Sequence, residues 1–159
     1  MILSQTTAKD GCRIAYRIWG DANPKARFAL VHSLAMDGAF WARTVEALGP
    51  GVEVLAIDCR GHGQSDKALG PYAIETFADD LLAAMEDAGW QSATIAGASM
   101  GGCVALAFAA RHPERCSALG LVDTTAWYGD GAPEAWEGRA QKALNGGIKA
   151  LVDFQKTRW

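Results

Sequence analysis

With 159 residues, 50% of them apolar and 21% charged, the chain is long enough for one packed domain and short for two. Fifteen Lys and Arg against eighteen Asp and Glu leave a net charge of −3, which removes any electrostatic case for a nucleic-acid groove or an anionic membrane surface. Eighteen Gly beside only five Pro point to glycine at turns rather than to low-complexity disorder.

The opening MILSQTTAKD has no basic stretch leading into a long apolar one, so no secretory signal is expected and a cytoplasmic location follows by default. Ile2 to Thr7 and Arg13 to Trp19 flank Asp10-Gly11, a dipeptide suited to a tight turn, and are expected to form an antiparallel hairpin. After Asn23-Pro24 short apolar runs alternate with helical periods. Strands are expected at Arg27 to Val31, Val52 to Ile57, Ala93 to Ala96 and Ala118 to Val122, and helices near Ala39 to Leu48, Tyr72 to Ala88 and Met100 to Arg111. This alternation implies an α/β fold, a mostly parallel sheet flanked by helices.

The strongest helical signal is the stripe Ile74, Phe77, Ala78, Leu81, Leu82, Met85 and Ala88, with Glu75, Asp79, Asp80 and Glu86 expected on the wet side. Ala88 to Ala110 is uncharged and nominally long enough for a bilayer, but four Gly and several polar residues make it a strand, a turn and a helix rather than one span. Ala118 to Val122 is apolar on both faces, the pattern of an interior strand rather than an exposed edge. Beyond Asp123, Pro133 opens a helix that presents Trp136, Ala140, Ala143 and Leu144 on one face and stops at Asn145-Gly146-Gly147. Ile148, Leu151, Val152 and Gln155 begin a second short one. The four cysteines are scattered, without zinc-site spacing or disulfide density, and read as small buried groups.

Gly97-Ala98-Ser99-Met100-Gly101 fits G-x-S-x-G and stands between an apolar strand and an apolar helix, where a serine on a sharp turn projects its hydroxyl above the sheet. A phosphate-binding loop would need a Lys-Ser/Thr ending, and a dinucleotide loop G-x-G-x-x-G; neither is present. Ser99 is thus the candidate nucleophile, against the bland reading of an ordinary strand-to-helix turn. Met100 N–H, in the first helical turn, is one candidate oxyanion donor, and Leu34 N–H, in the loop Val31-His32-Ser33-Leu34-Ala35, is the other. Asp58, Arg60, Gly61, His62, Gly63 and Ser65 read as a tight turn whose side chains satisfy loop backbone groups, with His62 a poor candidate base.

The motifs VHSLAMDGAFW, DCRGHGQSD and GASMGG, in this order and spacing, resemble the α/β-hydrolase superfamily across residues 12 to 125, and look most like its 3-oxoadipate enol-lactonase and esterase branch. The resemblance implies an α/β-hydrolase core over residues 1–125 and the start of a helical lid over 126–159. It implies a serine hydrolase acting on an ester or lactone, with Trp41 a pocket or packing residue. Trp127, Tyr128 and Trp136 would be lid residues facing a moderately apolar substrate. The family order is Ser, then acid, then His, yet no histidine follows His112. The expectation is therefore that a complementing polypeptide carries the catalytic His and acid, with Asp123 as an alternative acid, and that the isolated chain is nearly inactive. No metal or organic cofactor is implied. Carbon–carbon bond hydrolysis and perhydrolysis share the same elbow, and a ligand-binding module without a working triad is the alternative from another class.

Overall fold

A computed structural model of the chain describes residues 1–21, 23–70 and 72–152. Two strands, β1 (Ile2–Thr7) and β2 (Arg13–Gly20), pair antiparallel across a turn in which Gly11 takes φ 85°, a left-handed value that suits glycine. Four more strands are joined by helical crossovers: β3 (Ala26–Val31), β4 (Val52–Ile57), β5 (Ala93–Ala98) and β6 (Cys116–Val122). The six form one sheet in the order β1-β2-β4-β3-β5-β6, parallel from β4 to β6. The crossovers contain α1 (Ala42–Leu48), α2 (Ile74–Asp87) and α3 (Met100–Arg111), and α4 (Ala132–Gly146) follows the sheet. Among the described residues no helix is long and apolar enough to cross a membrane.

Side chains alternate across β3 and β4, and each face has its own apolar cluster. Ala29, Val31, Leu55 and Ile57 point to one face, with Ile14, Tyr16 and Ile95, and are covered by Phe77, Leu81 and Met85 of α2 and Val104 and Phe108 of α3. Leu30, Val54, Ala56 and Ala98 point to the other, against Trp41 and Val45. Trp41, expected as a pocket or packing residue, is buried in this second cluster, and its indole N–H meets no acceptor among the described residues.

Two local differences from the sequence reading have physical causes. The helix expected near Ala39 opens as a 3₁₀ turn over Gly38–Trp41, because the Asp37 carboxylate accepts the Ala39 N–H at 2.8 Å and fixes a tight start. Asp80, expected on the wet side of α2, is buried, because the guanidinium of Arg60 reaches it with two bonds of 2.7 Å. Burial pushes the Asp80 carboxyl upward, and the Arg60 charge opposes that shift. Among the described residues β6 pairs with β5 alone, and Leu119, Leu121 and Val122 are exposed.

Cys12 and Cys59 are buried as expected, while Cys103 and Cys116 are half-exposed. The chain divides into two compact units after Thr125. In the second, α4 begins beside Pro133 and ends before Gly147 (φ 71°), and a 3₁₀ turn over Ile148–Leu151, followed by helical Val152, stands where the second short helix is expected to start. Gln155, expected in that helix, lies outside the described residues.

Candidate active site

Ser99 alone connects β5 to α3, with φ 52° and ψ −116°. An L-residue holds such angles at a cost of about 1–3 kcal/mol, and only where its surroundings over-determine it. Here they do. Ser99 N–H donates to the Val122 carbonyl at 2.9 Å, and the Ser99 carbonyl accepts from Gly102 N–H at 2.9 Å and from the Thr124 hydroxyl at 2.8 Å. The elbow is thus tied to the exit of β6 as well as to its own helix. Thr124 carries no motif signal; only the fold brings it to the elbow.

The glycines around Ser99 are required by space rather than by dihedral angle. A Cβ at Gly97 would strike the Gly101 backbone, one at Gly102 the Thr124 side chain, and one at Gly101 the carbonyls of Val31 and His32. That last contact sets the first turn of α3 directly beside the exit of β3, where the candidate oxyanion loop begins. Gly101→Ala is expected to lower stability by about 1–3 kcal/mol through overpacking, the reverse of the gain of about 0.5–1 kcal/mol usual for Gly→Ala inside a helix. Denaturant unfolding of the two chains gives the sign.

Leu34 and Met100, the two candidate donors, are half-buried on either side of this contact. Met100 N–H belongs to the opening turn of α3, whose first amides have no intrahelical acceptor. Leu34 lies in a turn closed by Met36 N–H donating to the Ser33 carbonyl at 3.2 Å, with Ala35 at φ 64°. The turn is then anchored to the loop after β4. Buried Asp58 accepts the Gly38 and Gln64 N–H groups at 2.8 Å each and pairs with the buried Arg17 guanidinium. Ser65 Oγ accepts the Ala15 N–H at 2.8 Å and donates to the Asp58 carbonyl. Asp58 and Ser65 therefore satisfy loop backbone, as the sequence implies. Arg60 does something else, bridging the carboxylates of Asp80 and Asp10.

Each of the three histidines is committed elsewhere. His32 is fully buried, its Nδ1 2.8 Å from the Ser33 carbonyl and its Nε2 accepting the Cys59 N–H at 3.0 Å. Burial holds its pKa below the usual imidazole value. His62 faces the Arg60 carbonyl at 3.2 Å, and His112, at the end of α3, meets Asp79 at 2.9 Å. Asp123 is exposed at the end of β6 with φ 47°. Trp127, Tyr128 and Trp136 belong to the second unit and are exposed; Tyr128 and Trp136 meet edge-to-face at 6.2 Å, with Arg139 over the Trp136 ring at 5.3 Å. A cavity of about 460 Å³ between β1 and α2 is lined by Thr6, Asp10, Arg60, Asp79 and Asp87, and Ser99 is not part of its wall.

The chain matches the α/β-hydrolase fold family over residues 27–146. It is 30% identical over 153 residues to 3-oxoadipate enol-lactonase 2 of Acinetobacter baylyi, which covers 96% of this chain and 56% of that protein. The solved enol-lactonase from Burkholderia xenovorans LB400 superimposes with a TM-score of 0.88 at 38% identity, covering 98% of this chain and 59% of that one. A thermophilic esterase from Thermogutta terrifontis gives a TM-score of 0.85 at 28% identity, covering 99% and 57%. The chain thus spans little more than half the length of these relatives. Shared sequence, the order of the sheet and the strained serine between β5 and α3 agree: the chain belongs to the α/β-hydrolase fold family.

Proposed function

We propose that this chain is the nucleophile-bearing part of a serine hydrolase that cleaves carboxylic esters or lactones through an acyl-enzyme. The observation that carries the proposal is Ser99 itself, a non-glycine residue held at φ 52° by hydrogen bonds from two directions at the head of a twelve-residue helix. Such strain persists where it aims a functional side chain. Relatives that are an enol-lactonase and an esterase support the substrate class.

In the proposed reaction Ser99 Oγ bonds to the carbonyl carbon while its proton passes to an imidazole. Leu34 and Met100 N–H groups hold the oxyanion, the C–O bond to the leaving alcohol breaks, and the imidazole returns the proton to that oxygen. Water then cleaves the acyl-enzyme by the same route. With His32, His62 and His112 all engaged with other groups, the reading takes the imidazole from outside these 159 residues, on a complementing polypeptide. The apolar, one-sided edge of β6 supports a place for it, since exposed edges normally carry charge or proline. Asp123, at the exit of β6, is the acid candidate within this chain. Trp127, Tyr128 and Trp136 are proposed to favour apolar substrates.

The test is to isolate the chain with whatever co-purifies, measure intact masses, and expose the assembly to a serine-directed phosphonate. The expected result is a second polypeptide and one phosphonyl adduct on Ser99, absent in Ser99→Ala. An assembly whose Ser99 resists the reagent would make the protein a ligand-binding module instead.

A further inference from the structure

The buried imidazole of His32 plays no part in proton transfer to Ser99, yet both its nitrogens are used. Nε2 faces the Cys59 backbone N–H at 3.0 Å, and a backbone amide only donates. Nε2 must therefore carry the lone pair, and the proton sits on Nδ1. That nitrogen lies 2.8 Å from the Ser33 carbonyl, which accepts its hydrogen bond. The Ser33 carbonyl and the Leu34 N–H belong to one planar trans peptide and point in opposite directions across it. Fixing the oxygen fixes the amide proton.

We propose that His32 is a positioning residue for the oxyanion hole: its Nδ1–H pins the Ser33 carbonyl and so aims the Leu34 N–H at the oxygen of the reacting carbonyl. The destination of that N–H rests on the serine-hydrolase reading above, whereas the hydrogen bonds and the tautomer do not. A flip of the Ser33-Leu34 peptide would break the bonds from His32 Nδ1 and from Met36 N–H together, and would leave a fully buried ring donor without an acceptor. Burial also disfavours the doubly protonated ring, in which an Nε2 proton would oppose the Cys59 N–H. His62 (ring centroids 5.1 Å apart), Asp58 and Asp37 are the titratable groups that act on His32.

Two substitutions separate aiming from simple anchoring. His32→Asn keeps a side-chain donor at the Nδ1 position and gives up the acceptor for Cys59. His32→Gln does the opposite, reaching Cys59 and losing the donor to Ser33. The experiment is NMR on the isotopically labelled 159-residue chain, reading the His32 tautomer by long-range ¹H–¹⁵N correlation and the Leu34 N–H direction by residual dipolar coupling. The expected results are a proton on Nδ1 in the wild type, a wild-type Leu34 coupling in His32→Asn, and a shifted or averaged one in His32→Gln.

A proton on Nε2, a wild-type Leu34 coupling in folded His32→Gln, or a coupling in His32→Asn displaced from the wild-type value would overturn the proposal. Should His32→Gln fail to fold, the wild-type tautomer and His32→Asn still decide. Failure of the serine-hydrolase reading is recorded separately, as an unreactive Ser99 toward phosphonate, and leaves these NMR readouts in place.

Discussion

Purified alone, the 159-residue chain is expected to hydrolyse a simple activated ester about a million-fold more slowly than the assembled enzyme, since loss of the base from a serine triad costs about 10⁶ in kcat. A serine hydroxyl is a weak nucleophile until a positioned base takes its proton. Here His32 is held by Ser33 and Cys59, His62 by the Arg60 carbonyl, and His112 by Asp79. What the chain retains is the elbow and the two candidate oxyanion donors, worth about 10³–10⁴ over water in a characterised triad. Adding the proposed complementary polypeptide should restore turnover to the range of about 1–10³ s⁻¹ usual for enzymes, and Ser99→Ala should leave that assembly at the level of the isolated chain. Turnover in that range by the chain alone, lost in Ser99→Ala, would place the base within these 159 residues and refute the two-polypeptide reading.

The parts of the fold legible in the sequence are those written in local pattern. Buried parallel strands are short apolar runs, so β4 appears at its observed bounds, and the stripe from Ile74 to Ala88 marks the face of α2 that packs on the sheet. The elbow is legible for a different reason: close approach of strand and helix excludes side chains at Gly97, Gly101 and Gly102, which leaves a glycine signature around the serine.

What the sequence conceals depends on groups far apart along the chain. Asp80 looks solvated until Arg60, twenty positions earlier, is folded against it. Thr124 becomes part of the elbow only because β6 lies beside β5. His32 reads as a strand-end residue, because the amide that fixes its tautomer comes from the loop after the neighbouring strand. Helix starts are similarly blurred: α2 begins at Ile74 rather than near Tyr72, since Ala73 is extended at ψ 148°.

Asp58 carries the second large expected effect, on stability. Its carboxylate is fully buried and serves three donors from three places: the Arg17 guanidinium of β2, the Gly38 N–H after the oxyanion turn, and the Gln64 N–H of the loop after β4. Among the described residues, Asp58→Ala would leave the buried Arg17 charge with only Asp37, 3.6 Å away, to balance it. Removing one partner of a buried ion pair costs about 3–5 kcal/mol, a large part of the 5–15 kcal/mol that holds a typical domain folded. For a chain of this size that corresponds to a fall in Tm of roughly 6–20 °C.

The exposed Arg13–Asp66 pair is the control, because solvent-exposed pairs contribute about 0–1 kcal/mol. Asp66→Ala should shift Tm by no more than a few degrees. Thermal unfolding followed by circular dichroism compares the two directly. Equal shifts for Asp58→Ala and Asp66→Ala would mean that Arg17 finds another counter-charge once Asp58 is gone. The anchoring of the oxyanion turn to the β4 loop would then rest on the His32–Cys59 bond rather than on Asp58.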